Sequence, residues 1–144
     1  MPMRRPAADD RMIIGLDFDN TIITYDDVFR AEARARGLID IDDGLTGKRE
    51  IRDAIRRLND GERKWQELQG FVYGRGIVEA RMCDGVGDFL RRCRDDGHRV
   101  VIVSHKTRYG HFDPTQTDLR AAALDWMTAR GFFARDELGL SRGD

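Results

Sequence analysis

The chain contains few cysteines and no long apolar segment, and each absence argues against a class of protein. Its two cysteines, Cys83 and Cys93, form no CxxC pair, so neither a redox pair nor a disulfide scaffold is expected. No apolar run approaches the roughly 20 residues that a membrane-spanning helix needs. Residues 1–11 are polar and lack the apolar core of a secretory signal. The sequence therefore predicts a cytoplasmic protein without a membrane partner.

An excess of charge of either sign is also missing. The 144 residues carry 25 basic and 26 acidic side chains, which gives a formal net charge of -1. Such a balance provides no overall basic field for nucleic acid, and no nucleic-acid partner is expected. The length suits one domain with a core of its own. Function is therefore expected to reside in local groups of side chains.

Two apolar segments have the composition of strands in a parallel sheet. Residues 12–18, MIIGLDF, form a short run that is apolar apart from Gly15 and Asp17, a pattern typical of a strand that is buried on both faces. Residues 99–103, RVVIV, are β-branched and apolar and predict a second strand. Both segments end on polar residues, since the first runs into LDFDNT (16–21) and the second is followed by SHKT (104–107).

Helical periodicity accounts for most of the remaining sequence. Residues 26–73 predict three helices, and two more are expected over 86–94, with Asp84 as its N-cap, and from about 117 to 130. The predicted apolar faces consist of Val28, Ala31 and Ala35; Ile51, Ala54, Ile55 and Leu58; Trp65, Leu68 and Val72; Val86, Phe89, Leu90 and Cys93; and Leu119, Ala122, Ala123 and Trp126.

This order of elements predicts an α/β protein with a parallel sheet and an all-helical module between its first two strands. Ligands bind beyond the carboxyl ends of the strands in open parallel sheets. Strands paired in parallel would therefore bring Asp17 and Asp19 next to Ser104, although these residues are far apart in the sequence.

Two carboxylates at the end of an apolar strand suggest phosphate chemistry. Their mutual repulsion is costly unless a cation, a shared proton or chemistry on an anionic substrate uses them, and hard oxygen ligands suit Mg²⁺. Asp17 can attack phosphorus to give an aspartyl-phosphate, and Asp19 can protonate the departing alcohol and then activate water. Ser104 can offer its hydroxyl to a phosphoryl oxygen. The alternative is a purely structural role, in which DFDNT is only a capped turn, and it is the weaker interpretation.

The same residues carry a resemblance to a known family. DFDNT resembles the DxDxT/V first motif of the haloacid dehalogenase-like (HAD) superfamily, and VIVSH resembles its second motif. The resemblance implies a Rossmannoid core, a helical C1-type cap, and Mg²⁺-dependent hydrolysis of a small phosphorylated metabolite. It makes Asp17 the nucleophile and a metal ligand, Asp19 the acid/base and a metal ligand through its carbonyl, and Ser104 a phosphoryl ligand.

The residues next to these motifs complete the candidate site. Thr21, His105 and Lys106 are expected to bind the phosphate-ester substrate. The corresponding domain assignment is a mobile tail over 1–10, a HAD-like core over 11–24 and 78–144, and a helical cap over 25–77. His105, His111 and Asp113 could hold a transition metal, but their spacing matches no standard site and a polar loop is favoured.

The family's later motifs are the part of the pattern that the sequence lacks. The family has a lysine and then one or two acidic Mg²⁺ ligands after its second motif. Lys106 is the last lysine, and it is either a substitute for that residue or, as favoured, a solvated loop cation. No clean strand precedes the acidic pair Asp136-Glu137. The core is therefore expected to be incomplete at its C-terminus, through truncation or as a natural short form, and the chain weakly active.

An incomplete core has a structural consequence and a functional one. The parallel sheet would have an open edge, which a missing strand or another copy of the chain should cover. The alternative function, from a different class, is a catalytically silent binding or assembly module that has kept the fold.

Overall fold

A computed structural model describes residues 10–40, 44–45 and 47–140. The fold is mixed α/β, and the described residues form five α-helices, a small parallel sheet of two strands and a second pair of two-residue strands. None of these helices is long and apolar enough to cross a membrane. In chain order the elements are β1 (Ile13–Asp17), β2 (Ile23–Thr24), α1 (Asp26–Ala35), α2 (Lys48–Arg56), α3 (Gly61–Tyr73), a 3₁₀ segment (Arg75–Glu79), β3 (Arg81–Met82), α4 (Val86–Asp95), β4 (Arg99–Val103) and α5 (Leu119–Ala129).

The chain divides into two compact units. One, here called the α/β unit, comprises 10–23, 82–105 and the described residues after 126. The other, here called the helical unit, comprises 24–81 and 106–126. The helical unit thus includes a second segment, 106–126, which the sequence pattern predicts to belong to the core. The expected mobile tail lies outside the described residues except for Asp10.

The parallel pairing that the sequence predicted is confirmed in the α/β unit. Strand β1 runs parallel to β4, with Ile13 opposite Arg99 at one end and Asp17 opposite Val103 at the other. Helix α4 packs against β4. The RVVIV segment forms β4 over its whole length, whereas β1 is slightly shorter than the apolar run that predicted it.

The expectation that the first strand is buried on both faces is wrong. No residue of β1 is fully buried, and Ile13 is 72% exposed. Met12 and Val103 are exposed as well. Helix α4 packs against β4, and no helix has comparable contact with β1 in the described part of the chain, so the faces of this strand are only partly covered. The α/β unit therefore presents apolar side chains along its sheet.

Helix α4 follows its predicted span, but its N-terminus differs from the prediction. Gly85 occupies the N-cap position with φ +82, a left-handed conformation that glycine adopts easily, so Asp84 is not the cap. The predicted face is half right, because Leu90 and Cys93 are buried while Phe89 is exposed. Burial raises the pKa of the Cys93 thiol, and neither Cys83 nor Cys93 forms a disulfide.

The helical insert forms three helices, α1, α2 and α3, as the sequence predicted. Each contacts the other two, and the predicted face of α3 is fully confirmed because Trp65, Leu68 and Val72 are buried. The predicted face of α1 is wrong at two positions. Ala31 and Ala35 are exposed, and the buried residues are Val28, Phe29 and Ala33.

Phe29 sets the orientation of α1 because its ring lies in an aromatic cluster. It stacks on Trp65 with centroids 5.1 Å apart and meets Tyr73 edge-on at 5.8 Å. Tyr73 in turn meets Tyr25 edge-on at 4.8 Å. Burying a large aromatic ring contributes more than burying the methyl groups of Ala31 and Ala35, so the helix turns Phe29 inward.

Helix α5 forms where the sequence predicted it and begins with a side-chain cap. Asp118 precedes its first residue, and the Asp118 carboxylate accepts hydrogen bonds from the backbone N–H groups of Arg120 and Ala121, both at 3.0 Å. The bond from Ala121 is the largest cause of the lowered pKa of Asp118. Leu119, Ala123 and Trp126 are buried, in agreement with the predicted apolar face. The Trp126 indole N–H donates to the carbonyl of Ala80 at 3.1 Å.

Candidate functional site

The carboxyl ends of β1 and β4 meet at one edge of the parallel sheet. Asp17 lies opposite Val103 in the register, and the N–H of Phe18 donates to the carbonyl of Val103 at 3.1 Å. Paired strands lie about 4.8 Å apart. The DFDNT segment and the segment that starts at Ser104 therefore begin side by side, as parallel pairing requires.

The turn after β1 is closed by its own backbone and anchored by apolar side chains. The carbonyl of Phe18 accepts hydrogen bonds from Ile22 at 3.0 Å and Ile23 at 3.3 Å, and the N–H of Asn20 donates to Ile23 at 2.9 Å. Phe18, Ile22 and Ile23 are buried. Asn20 has φ +63, a left-handed conformation that asparagine tolerates better than most residues. This anchoring holds the polar side chains of the turn on a fixed backbone.

The two carboxylates of the first motif differ in exposure. Asp17 is exposed, and no described residue forms a hydrogen bond or ion pair with its side chain. Asp19 is half-buried and belongs to the closed turn through a bridge to Ile23. Thr21 is exposed at the tip of the turn. A carboxylate that is accessible and not engaged by a neighbouring cation is free to meet an incoming electrophile.

The boundary between the two units falls within the segment that follows β4. Ser104 and His105 belong to this unit, and both are exposed directly after the strand. Lys106 belongs to the helical unit. The α/β unit thus contains Asp17, Asp19, Thr21, Ser104 and His105, whereas the helical unit contains Lys106.

The interpretation of Lys106 as a solvated loop cation is wrong. The residue is only 8% exposed, and its Nζ lies 4.0 Å from the ring centroid of Tyr73 and 5.2 Å from that of Tyr25. Its carbonyl accepts a hydrogen bond from Nε of Arg120 at 3.3 Å. The negative faces of the two tyrosine rings compensate part of the cost of burying the ammonium group. Lys106 is therefore held in a fixed aromatic environment.

A second lysine reaches the same tyrosine, and sequence reasoning missed it. The ammonium group of Lys48 donates a hydrogen bond to the Tyr73 hydroxyl and lies 5.1 Å from the centroid of that ring. The backbone N–H of Lys48 donates to Asp26 at 3.2 Å, which fixes the start of α2. The chain has only three lysines, and two of them meet at Tyr73. The scarcity of lysine is the one feature of the sequence that distinguishes Lys48 from the other cationic residues.

The other acidic and histidine residues considered as ligands do not gather into a metal site. No group of three or more His, Cys, Asp and Glu side chains suited to a metal occurs among the described residues. Asp113 instead organises its own loop. Its carboxylate accepts hydrogen bonds from the Thr115 hydroxyl at 2.6 Å and from the backbone N–H groups of Thr115 and Thr117. These bonds, led by that of the Thr115 hydroxyl, lower the pKa of Asp113.

Asp17 and Asp19 nonetheless provide the donor chemistry that Mg²⁺ requires. Asp17 offers hard carboxylate oxygens and Asp19 a backbone carbonyl oxygen next to the open end of the sheet, where substrate oxygens and water can complete the coordination. Mg²⁺ commonly binds through one or two carboxylates in this way, so the residues present fit the ion.

Comparison of the chain with family models, with curated proteins and with solved structures finds no match.

Proposed function

We propose that the chain is a Mg²⁺-dependent phosphohydrolase of the HAD-like type that acts on a small phosphate ester. Its α/β unit is then a partial Rossmannoid core, and its helical insert is a C1-type cap. The observation that supports this most is the parallel register of β1 and β4, with Asp17 opposite Val103 and Ser104 one residue further along. This register joins the two motifs whose residues carry the proposed chemistry.

The proposed reaction has two steps at phosphorus. A carboxylate oxygen of Asp17 forms a bond to phosphorus, the ester P–O bond breaks, and Asp19 gives its proton to the departing alcohol. A water molecule then attacks the aspartyl-phosphate, Asp19 takes a proton from that water, and the bond to Asp17 breaks to release phosphate. The hydroxyl of Ser104 hydrogen-bonds to a phosphoryl oxygen during both steps.

The half-buried position of Asp19 and the exposure of Asp17 agree with different roles in this scheme. The attacking residue has to be reached by substrate, whereas the acid/base has to keep one orientation through both steps. Asp17 and the backbone carbonyl of Asp19 would hold Mg²⁺. When bound, that ion would offset the negative charge of the carboxylates and of the phosphoryl group. Roles for Thr21, His105 and Lys106 in binding substrate remain predictions.

The experiment that tests the proposal is hydrolysis of an aryl phosphate with and without Mg²⁺. We expect turnover that rises with Mg²⁺, that needs a large excess of the ion because Asp17 supplies the one carboxylate of the proposed ligand set, and that stops in excess EDTA. Ca²⁺ serves as a matched control because it also binds carboxylates but prefers a larger and looser coordination shell. Full activity in EDTA would rule out the proposed mechanism.

A second candidate function, a binding or assembly module without catalysis, is favoured by the exposed apolar side chains along the sheet. Ile13, Met12 and Val103 are exposed in the α/β unit, and an unprotected strand edge can pair with a second copy of the chain. We propose self-association at this edge as its physical basis.

Sedimentation velocity over a range of protein concentrations tests this association. We expect a concentration-dependent dimer, and we expect Ile13→Lys to shift the chain toward monomer because a charge at an edge strand opposes pairing. Val78→Lys is the matched control, since Val78 is also an exposed apolar residue but lies in the helical unit. A monomer at every concentration, or an equal effect of the two variants, would contradict association through β1.

A further inference from the structure

The helical unit contains a groove that the proposed phosphatase chemistry does not use. Its volume is about 700 Å³, and sites for small molecules commonly have volumes of roughly 300–1,000 Å³. Helix α3, the residue that follows α1, the start of the 3₁₀ segment and the loop after Lys106 contribute to its walls. The residues that carry the inference are Arg36, Arg63, Phe71, Arg75, Tyr109 and Phe112.

Arginine side chains lie on aromatic rings along this groove. The Cζ atoms of Arg36 and Arg75 lie 5.2 Å and 5.3 Å from the centroid of Phe71. The Cζ atom of Arg63 lies 5.0 Å from the centroid of Phe112. A guanidinium group that stacks on a ring uses its flat face and keeps the N–H groups at its edge for hydrogen bonds to an anion. The groove therefore combines apolar surface with oriented cationic donors.

The positive charges along the groove are compensated to different degrees. Arg63 pairs with Glu67 at 3.1 Å, and Arg36 pairs with Glu32 at 2.9 Å. Arg75 is an exposed residue, and no described residue forms an ion pair with it, although its charge is among the causes that lower the pKa of Asp113. The Asp113 carboxylate, the other acid in the lining, accepts the hydrogen bonds of its own loop. Arg75 is consequently the strongest candidate to receive an anionic group.

Two aromatic rings on the loop wall are exposed to solvent. Phe112 is 52% exposed and Tyr109 is 41% exposed. Phe112 also has φ +58, a left-handed conformation that is costly for a bulky residue. Backbone strain of this kind is typical of functional sites, so it favours a binding role for the exposed ring of Phe112.

The backbone of this loop packs closely on α3. A Cβ atom added at Gly110 would lie 2.7 Å from the Cα atom of Gly70, so the two glycines allow direct contact between loop and helix. The hydrogen bonds to Asp113 hold the following residues of the same loop. The wall that carries Tyr109 and Phe112 is thus shaped before any ligand arrives, which lowers the entropic cost of binding.

We propose that this groove binds a small anion that carries a planar ring, the chemistry that a nucleoside monophosphate represents. The anionic group meets Arg75 and Arg36, and the ring stacks on Phe112 and Tyr109. The binding requires neither Mg²⁺ nor the carboxylates of the first motif. It is therefore independent of whether the chain hydrolyses phosphate esters.

Isothermal titration calorimetry of the full chain in EDTA tests this binding without metal-dependent turnover. The probes are AMP, adenosine and inorganic phosphate. We expect AMP to bind at least about tenfold more tightly than either of the other two, because only AMP offers both the ring and the charge. Equal affinity for AMP and phosphate, or no binding of AMP, would overturn the proposal.

Three variants locate the site. Arg75→Gln should weaken AMP binding about tenfold or more, because it removes a charge-assisted hydrogen bond. Phe112→Asn should weaken it as well, since asparagine keeps the left-handed backbone favourable but removes the ring. Arg57→Gln, at an exposed arginine outside the groove, should leave binding unchanged. An equal loss in Arg57→Gln, or loss of binding in Asp17→Asn but not in Arg75→Gln, would overturn the assignment.

Discussion

Asp17→Asn should lower the hydrolysis of an aryl phosphate by about 10⁴-fold or more, the scale of loss seen when a covalent nucleophile is removed. An amide oxygen is a far weaker nucleophile than a carboxylate oxygen, and the substitution also removes one negative charge from the metal ligands. The fold should be preserved, because Asp17 is exposed and no described residue bonds to its side chain.

Controls separate this chemistry from a general effect of charge. Asp84→Asn is the matched variant, since Asp84 is an exposed aspartate of the same α/β unit that lies outside the first motif. We expect it to keep its turnover, and we expect circular dichroism and urea midpoints to agree among the wild type and both variants. Undiminished turnover in Asp17→Asn, or equal losses in the two variants, would exclude Asp17 as the nucleophile.

Rapid quenching of a reaction with ³²P-labelled substrate extends the test to the intermediate. The wild-type chain should carry acid-stable label on a carboxylate that hydroxylamine releases, because an aspartyl-phosphate is an acyl phosphate. Asp17→Asn should carry none. Label that persists in this variant would place the covalent chemistry on another residue.

The strand register and the meeting of the two polar segments could be predicted from sequence because both follow from local signals. Apolar runs that end in polar residues define the strands 12–18 and 99–103, and parallel pairing brings their carboxyl ends together. The burial of β1 could not be predicted in the same way. An apolar composition shows that a strand can be buried on both faces, but whether it is buried depends on the elements that pack against it.

The errors in the helical unit have a related cause. Alanine contributes little apolar area, so the periodic alanines at 31 and 35 are a weak signal beside the single ring of Phe29. The burial of Lys106 depends on rings at positions 25 and 73, which no local pattern connects to it. Residues of this kind can be assigned only once the tertiary contacts are known.

Phe29→Ala should lower the free energy of unfolding of the helical unit by about 3–5 kcal/mol, the usual cost of removing a buried aromatic ring. Phe29 is fully buried and contacts both Trp65 and Tyr73, so the substitution leaves a cavity inside the cluster that joins α1 to α3. Whole domains commonly have a total stability of only about 5–15 kcal/mol, which makes this a large fraction.

Urea unfolding followed by tryptophan fluorescence measures the free energy of unfolding of the helical unit, because both tryptophans, Trp65 and Trp126, belong to this unit. Val78→Ala is the matched control. Val78 is an exposed apolar residue of the same unit, so its truncation should change the free energy of unfolding by no more than about 0.5 kcal/mol. If Phe29→Ala does not fold, Phe29→Leu provides the measurement, with a smaller loss because leucine refills part of the cavity. Equal stabilities of Phe29→Leu, Val78→Ala and the wild type would show that the aromatic cluster does not hold α1 in place.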